Sequence, residues 1–573
     1  QTRLNANGNS LASLVVTKRS TPDVDPFVIS GLGGSQSVSI DGEVSDLTVA
    51  LSSPSLLNFN LAYTTGDAVV LTGGGIATSG GSVTMSSSGG IDATTGGIAT
   101  GGGAVTLVAS GTSGITAGSI TSGGGAVTMT ANNGAISSGA ITTSGGNIAL
   151  TTFPTAGHIT LGGPLAAGSG TITLRANGGG NISGSGTVTS TSSVSATTMN
   201  GVIGVPAGAG PAVPLAVSAP TVTLTANRGT GATGSEGTVL ATLIGTSNLT
   251  LTGDRGFDVT SDTAFTTLSV TTKGTGAGSL NLAATGQTYG FDRPTTDLFG
   301  TLVSGTAFEV VSVNAPTATT TFAASDGLLL VRGASGGPNK LNVQNLTLTN
   351  TGGGDVSLQG TSANPLVLSS ANQTFSASGG TGADVLIRGN VAISATTSQA
   401  FTAAGNITVN ADAGGGGAIA ISAPTQTFTT TGGSSKIELL GGAATGEKVT
   451  VAATNQQRVN STSSSIAAFR LKGGSAADTS VTYTHSGAGL QDFQISSGTV
   501  TVEGGSGQNA FAKIEETGTN QQKICRDTFS GCNPVGSLQI LGGSGTGAFA
   551  QITASGSQLV GVNSATIVKG GTG

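Results

Sequence analysis

Residues 103–131 read GAVTLVASGTSGITAGSITSGGGAVTMTA, and this stretch decides the fold. An apolar–small–apolar phrase stands near both ends of it, and the phrase returns along the chain at steps of 22, 22, 21 and 24 residues. Two further apolar points, such as Ile115 and Ile120, and Gly-rich corners separate consecutive copies. Three short strands and three corners in each copy predict one coil of a three-sided solenoid. The copies begin at Val83, Val105, Val127, Ile148 and Ile172.

A single coil of this kind cannot bury its own apolar residues, so the coils must stack. Stacking them about 4.8 Å apart pairs each strand with its equivalents in the neighbouring coils and aligns the apolar positions inside. Thr and Ser then face outward, and Gly fills the corners that need a positive φ. The repeats therefore predict an all-β protein, a parallel β-helix with about 22 to 31 residues per coil.

A second repeat fills the C-terminal half and reads Gln–x–apolar, then an alternating strand, then Gly-Gly. Its glutamines start at Gln373 and recur at steps of 26, 27, 31, 34, 31 and 36 residues. We expect their amides to form a hydrogen-bonded ladder between coils, with a structural role. The apolar residues two positions after each Gln predict one internal column: Phe375, Phe401, Phe428, Val459, Phe493, Ile524 and Val560.

The regularity of the repeats predicts four segments. Residues 1–65 lack a clear phase and are expected to form an irregular cap or leading region, and residues 66–202 carry the 22-residue repeats. Residues 203–320 are an irregular β segment with a Pro-rich joint, since Pro cannot donate to a ladder. Residues 321–573 carry the Gln–x–apolar and Gly-Gly repeats.

The composition narrows the class of protein. Only 8% of the 573 residues are charged, the net charge is −6, and Lys and Arg do not cluster. A phosphate-neutralising surface is therefore missing, and nucleic acid is not an expected partner. No run of about 18 apolar residues occurs, so no transmembrane helix is predicted. The hydrophobic content of 36% at this low charge argues against a disordered chain.

The two cysteines, Cys525 and Cys532, lie close enough in sequence for one local disulfide, which suits an exported protein. Their repeat exceeds the next one by eight residues, which is the span from Cys525 to Cys532 inclusive. We therefore predict a stapled surface loop that holds Arg526, Asp527 and Phe529 away from the coils. The loop is either a recognition element or a passive corner.

Enzymes built on β-helices need clustered carboxylates, often beside a cation or bound calcium. The densest acidic stretch contains Asp258 and Asp292, and it fits either a solvated loop or a sugar-cleaving groove. His158 and His485 have no second ligand at metal spacing and are predicted to be exposed strand residues. Residues 379–387 match one copy of a calcium-binding nonapeptide, whereas that site needs tandem copies. We predict no enzyme, no catalytic residue, no metal and no cofactor.

The segment GAVTMTANNG at residues 125–134 is typical of one family's repeats. Over residues 70–190, and more loosely over 340–573, the chain resembles the filamentous haemagglutinin-like exoproteins of two-partner secretion. The resemblance implies a right-handed β-helix that is secreted or displayed on the exterior of a Gram-negative outer membrane, for adhesion, biofilm matrix or toxin delivery. Residues 5–8 read NANG where that family's secretion domain has Asn-Pro-Asn-Gly, so the export route does not follow from the resemblance.

Three functions are therefore considered. The first is an extracellular structural or adhesive rod that forms or joins surface fibres or biofilm matrix. The second is a β-helical polysaccharide-binding or polysaccharide-cleaving protein, of the tailspike or lyase kind. The third is an ice- or mineral-binding face, although the outward Thr columns are mixed with Ser and Ala. The last coil before Gly573 carries no evident cap, so we also expect end-to-end self-association into filaments. The other partner considered is a surface polysaccharide or a ligand on a host or other cell surface.

Overall fold

The chain is seen in a computed structural model. It describes residues 3–5, 14–18, 27–30, 34–42, 46–49, 56–63, 68–71, 75–78, 80–153, 157–206, 211–227, 236–272, 280–292, 305–325, 327–336, 339–412, 417–461, 468–495, 498–528 and 531–572. The backbone alone is described within residues 3–58 and 526–533 and at 272, 280, 292, 305–307 and 309.

The described residues form β-strands and no helix, and the chain divides into two compact units. The first unit comprises residues 1–265 and 281–285, and the second comprises residues 266–280 and 286–573. In each unit the chain winds through successive coils, and strands of neighbouring coils pair in parallel stacks.

The first unit has three stacks. The first stack contains Arg3–Asn5, Phe27–Ser30, Asp46–Val49, Ala68–Leu71, Ile91–Ala93, Ile115–Ala117, Ile136–Ser138, Ile159–Leu161 and Ile182–Gly184. The second stack contains Leu14–Lys18, Gly34–Gly42, Leu56–Tyr63, Val83–Ser87, Val105–Ala109, Val127–Ala131, Ile148–Thr152, Ile172–Ala176, Ser193–Met199, Thr221–Asn227 and Asn248–Gly253. The third stack contains Ile76–Thr78, Ile98–Thr100, Ile120–Thr121, Ile141–Thr142, Leu165–Ala166, Val188–Thr189, Leu215–Ser218, Thr238–Ile244, Gly256–Ser261 and Leu280–Ala284.

The second unit has one stack of longer strands and one of shorter strands, called the long stack and the short stack below. The long stack contains Thr267–Thr272, Gly305–Ala324, Lys340–Asn350, Leu366–Ala377, Val391–Ala403, Ala418–Thr430 and Lys448–Ser461. It then continues as two rows, Ser480–His485, Phe511–Glu516 and Ala550–Ala554 in one, and Gln491–Gln494, Gln522–Ile524 and Gln558–Val560 in the other. The short stack contains Leu328–Gly333, Val356–Gly360, Val385–Gly389, Ile407–Asn410, Lys436–Leu440, Ala468–Lys472, Thr499–Glu503, Val535–Leu541 and Val562–Lys569. Antiparallel pairs join Gln287–Asp292 to Gly305–Ala324, and Arg526–Thr528 to Gly531–Asn533.

The strand register follows the sequence repeat. Val105 lies opposite Val83 in one neighbouring coil and opposite Val127 in the other. Ile148 lies opposite Val127 and Ile172 in the same way. The prediction of an all-β parallel β-helix is therefore confirmed, because every copy of the repeat occupies the same place in its coil.

The interior consists of the alternate residues of each strand. In Val127–Ala131 the first, third and fifth side chains are buried, and Thr128 and Thr130 between them are partly exposed. Glycine lets the corners stack as closely as the strands do. A Cβ at Gly125 would lie 2.2 Å from the carbonyl oxygen of Gly103, a distance that no side chain tolerates. This close approach explains why the corners are so rich in Gly.

The organisation along the chain differs from the predicted segments in two places. Strands within residues 1–65 pair in parallel with the strands that follow them, so Leu14 lies opposite Val38 and Leu61 opposite Met85. Their pairing was hidden because these coils lack the Gly-rich corner phrase. The two units divide near residue 265, inside the predicted irregular segment and well after the predicted joint with Pro206, Pro211, Pro214 and Pro220.

Candidate interaction face

The second stack of the first unit presents two outward columns of small side chains. The inner column contains Thr84, Thr106, Thr128, Ala149, Thr173, Ser195, Thr223 and Thr250. The outer column, two residues further along each strand, contains Ser86, Val108, Thr130, Thr151, Arg175, Thr197, Thr225 and Thr252. We call these sixteen positions the hydroxyl face. It is nearly uncharged, since Arg175 is the only ionisable residue among them.

One edge of the hydroxyl face carries larger side chains, where the strands of three neighbouring coils end. Phe153 follows Ile148–Thr152, and its backbone N–H donates to the carbonyl of Ala131 at 2.9 Å, so the ladder continues through it. Phe153 is 42% exposed and Met199, in the same column, is 44% exposed. Asn177 stands between them in that column. Two large apolar side chains this close together on an otherwise polar face form a local apolar patch, so we treat this edge as a distinct feature.

Arg175 lies beside this edge and is held by its neighbour. Its Nε donates to Oδ1 of Asn177 at 3.2 Å, and Nδ2 of Asn177 donates to the carbonyl of Thr152 at 2.8 Å. Asn177 is 8% exposed, whereas Arg175 is exposed. The four residues Phe153, Arg175, Asn177 and Met199 are named the Phe153 patch below.

In the second unit, the residues predicted to form the structural column face inward along the long stack. Phe375, Phe401 and Phe428 are buried and lie opposite one another. The ring centroids of neighbouring Phe residues are 4.8 and 4.7 Å apart, with interplanar angles of 11° and 6°. Val459, Phe493 and Ile524 are buried too, whereas Val560 is 40% exposed because the described chain places no further strand over Gln558–Val560.

The glutamines beside this column form a continuous internal ladder. Nε2 of each Gln donates to Oε1 of the Gln in the preceding coil, at 2.8 Å from Gln399 to Gln373 and at 3.0 Å from Gln426 to Gln399. The same bonds join Gln457, Gln491, Gln522 and Gln558 in turn. The ladder satisfies amides that would otherwise be buried without partners, since Gln373 to Gln522 are all at most 1% exposed.

Outward from this ladder, the hydroxyl-bearing column of the long stack becomes charged. Thr427 lies opposite Arg458, Arg458 opposite Asp492, and Asp492 opposite Lys523. Oδ2 of Asp492 lies 3.3 Å from Nε of Arg458 and accepts a hydrogen bond from Nε2 of Gln494 at 2.7 Å. Asp492 is buried although it faces outward, because the backbone of Arg526–Thr528 lies against its strand.

That hairpin is the loop predicted between the cysteines. Its strands Arg526–Thr528 and Gly531–Asn533 pair antiparallel, and the first of them packs on Gln491–Gln494. Cys525 is buried at the start of the hairpin. Phe529, and the side chains of Arg526, Asp527 and Cys532, lie outside the described residues. The disulfide and the recognition role of this loop stay predictions.

The two histidines differ from each other. His158 is exposed, and its Nδ1 accepts a hydrogen bond from the N–H of Asn181 at 3.0 Å. The expectation that His485 is exposed is wrong. Its side chain is fully buried, with Nδ1 2.5 Å from Oε2 of Glu516, and Oε1 of Glu516 accepts the N–H of Gly518 at 2.7 Å. His485 and Glu516 each stand two positions after an inward-facing residue, Tyr483 and Ile514 respectively. That spacing was the signal in the sequence that both side chains face inward.

The acidic candidates are dispersed. Asp258 is exposed on Gly256–Ser261 in the first unit, whereas Asp292 belongs to the second unit and its side chain lies outside the described residues. Asp384, the acidic residue of the nonapeptide, lies in a column with Asp355 and Asn406. Oδ1 of Asp355 accepts the N–H of Asp384 at 2.8 Å, and Oδ1 of Asp384 accepts the N–H of Asn406 at 2.5 Å. These carboxylates therefore join neighbouring coils.

Within the described residues, no group of three or more His, Cys, Asp or Glu side chains is arranged to hold a metal ion. No helix of the described chain has the length and apolar character needed to cross a membrane. The chain was compared with protein-family models, with curated proteins and with solved structures, and none of these comparisons returned a match.

Proposed function

We propose that the chain is a non-enzymatic extracellular scaffold that attaches surfaces to one another, as a surface fibre, adhesin or matrix component. The observation that carries this proposal is the hydroxyl face, whose outward side chains, all small except Arg175, stay in unbroken register over eight coils. A repeated array of this kind offers many equivalent weak contacts, and their combined strength exceeds that of any single contact. Such a surface suits attachment to an extended partner.

The location proposed for this scaffold is outside the cell, on the exterior of a Gram-negative outer membrane or released from it. The resemblance to two-partner secretion exoproteins supports this location. A β-helix also suits display, because coils can be added to it without changing the contacts inside each coil. A second candidate function, binding of a polysaccharide, is favoured by the exposed ring of Phe153 beside the hydroxyl face.

The test of the attachment proposal is to place charges on the hydroxyl face. Beads coated with the full chain should attach to bacterial monolayers, and the double variant Thr128→Glu/Thr223→Glu should reduce attachment at least fivefold. The matched control, Thr116→Glu/Thr160→Glu, puts the same charges on outward positions of the first stack. Equal attachment by both variants, or none by the natural chain, would contradict the proposal.

Enzymatic activity is tested separately. The chain should release no reducing ends from a panel of bacterial polysaccharides during prolonged incubation. Release that disappears in Asp258→Asn would identify a cleaving enzyme and overturn the non-enzymatic assignment.

A further inference from the structure

The Phe153 patch combines groups that the rest of the hydroxyl face lacks. Along the column, Phe153 and Met199 are two coils apart, which is roughly 10 Å at a strand spacing of about 4.8 Å. Asn177 lies in the coil between them and Arg175 stands beside it on the outer column. Two apolar platforms, an amide and a cation therefore share a shallow surface whose other side chains are mostly hydroxyls, with Asn132 next to Phe153 in its column.

This combination suits a sugar better than a peptide or a lipid. A pyranose ring presents C–H groups on its faces, which pack on the face of an aromatic ring, and hydroxyls at its rim. The exposed ring of Phe153 can receive the C–H face, and the hydroxyls of Thr151, two residues earlier in the chain, and of Thr130 opposite it can exchange hydrogen bonds with the rim. An apolar peptide or lipid would leave these hydroxyls without partners on binding, at a cost in affinity.

Arg175 indicates the charge of the ligand. Its Nε donates to Asn177, which fixes the guanidinium within the patch and leaves the two Nη groups to donate to a ligand. A guanidinium pairs two N–H groups with the two oxygens of a carboxylate. No acidic residue belongs to the hydroxyl face or to the Phe153 patch to compete for it. The charge complement of the patch is therefore a ligand with a carboxylate next to a sugar ring.

We propose that the Phe153 patch is a subsite for a uronic-acid polysaccharide, with one pyranose ring on Phe153 and its carboxylate on Arg175. This inference rests on the proposed attachment function and names the chemistry of the attached surface. A sugar residue is about as long as the spacing between coils, so a chain that runs across the coils can place the next rings over Asn177 and Met199.

The experiment immobilises the full chain on a sensor and measures binding of polygalacturonate and of dextran with a similar chain length, in EDTA. Polygalacturonate should bind, with affinity at least tenfold lower for Phe153→Ser and at least fivefold lower for Arg175→Gln. Raising the salt concentration should weaken binding by the natural chain more than by Arg175→Gln, because salt screens the guanidinium–carboxylate pair. Thermal unfolding of each variant establishes that it is folded.

Two matched variants control for unspecific effects. Ile244→Ser removes a side chain of similar exposure, 43%, from the third stack, and Lys436→Gln removes an exposed cation from the second unit. Both should bind polygalacturonate within twofold of the natural chain. The proposal is overturned if the natural chain does not bind polygalacturonate, if Phe153→Ser binds it equally well, or if dextran binds as tightly. Loss of bead attachment in Thr128→Glu/Thr223→Glu, together with unchanged polygalacturonate binding by Phe153→Ser, would leave the attachment function standing and reject this subsite.

Discussion

At the scale of the residue, the interior of the second unit depends on identical side chains placed above one another. Phe375, Phe401 and Phe428 stack with nearly parallel rings because the backbone spacing between coils is close to the contact distance of two aromatic faces. Phe401 therefore contacts a ring on both sides, Phe375 on one and Phe428 on the other. Removing the middle ring leaves a space that neither neighbour can fill, since both are fixed by their own strands.

We expect Phe401→Ala to lower the free energy of unfolding by about 3–5 kcal/mol, as other buried Phe truncations do. The control is Thr402→Ala, which shortens the outward side chain next in sequence and should change stability by under about 0.5 kcal/mol. Denaturant titration followed by circular dichroism measures both. Similar midpoints for the two variants would contradict the internal position of the column.

The glutamine ladder predicts that the stability losses from replacing two neighbouring glutamines do not add. Gln426→Met leaves Oε1 of Gln399 and Nε2 of Gln457 without their ladder partners, and each orphaned group costs about 1–3 kcal/mol. The double variant Gln399→Met/Gln426→Met again leaves two orphans, now on Gln373 and Gln457. The double variant should therefore be about as stable as one single variant. Costs that add up fully in a double-mutant cycle would show that the amides do not act as a chain.

At the scale of the element, side chains join the strands of neighbouring coils from outside. Glu503 accepts a hydrogen bond from Nη2 of Arg470 at 2.6 Å and lies 3.2 Å from Nζ of Lys472. Burial alone would raise the pKa of the Glu503 carboxyl, but the bonds from Arg470 and Lys472 outweigh it and lower that pKa below its ordinary value of 4.5. The ion pairs thus favour the folded state as long as Glu503 is charged.

Glu503→Gln should consequently lose stability at neutral pH and lose little in acid. The depressed folded pKa gives a contribution that is fully present above pH 4.5 and disappears as the pH falls through the folded value. Urea titrations at pH 7 and pH 3 measure the difference between the natural chain and the variant. A difference that is the same at both pH values would exclude this ionic contribution.

Replacing Asp355 should have the opposite effect on stability at neutral pH. Burial, and then the charge of Asp384, raise the pKa of the Asp355 carboxyl, although the N–H of Asp384 that it accepts works against them. Its charged form is therefore unfavourable in the folded state at neutral pH, and the penalty disappears as the pH falls through the raised pKa. Asp355→Asn keeps an acceptor for that N–H, so it should melt above the natural chain at pH 7 and not at pH 3. A lower melting temperature at pH 7 would contradict this account.

The sequence predicted the strands well because their signal is local. The step from Val105 to Val127 and the alternation inside each strand appear directly in the letters. The corners could also be predicted, because positive φ values occur there in residue types that tolerate them: Gly446, Asp478, Asn509 and Gly547. The burial of His485 against Glu516 was missed because it depends on a contact between residues 31 positions apart.

The Phe153 patch was missed for a related reason. Phe153 follows a strand and precedes a proline, which reads as an ordinary loop. Its proximity to Arg175 arises only when strands of adjacent coils lie in register. The same holds for the hairpin at residues 526–533, because its sequence does not tell which strand it packs on.

At the scale of the whole molecule, each of the two units contains buried residues from many stacked coils. Leu107 is buried in the first unit and Phe401 in the second. In stacked repeats stability comes from contacts between neighbouring coils, so a local defect weakens its own surroundings most. This locality predicts how defects act on the unfolding of the chain.

Calorimetry of the full chain should show two transitions. Leu107→Ala should lower the temperature of one of them, and Phe401→Ala should lower the temperature of the other. Leu107→Ala costs about 2–5 kcal/mol and Phe401→Ala about 3–5 kcal/mol, each in its own unit. A single transition that both variants shift equally would show that the chain unfolds as one cooperative body.

The ladder has a consequence for the way such a gene can change. Successive glutamines are separated by 26 to 36 residues, yet their amides still meet, so differences in length are absorbed between the paired segments, mainly in the corners and also at register shifts in the long strands. A codon gained or lost in a corner therefore alters only a surface loop, whereas one in a strand would turn the inward side chains outward. Scanning the coding sequence with single-codon deletions should produce alternating tolerant and intolerant windows, and the tolerant windows should coincide with the glycines.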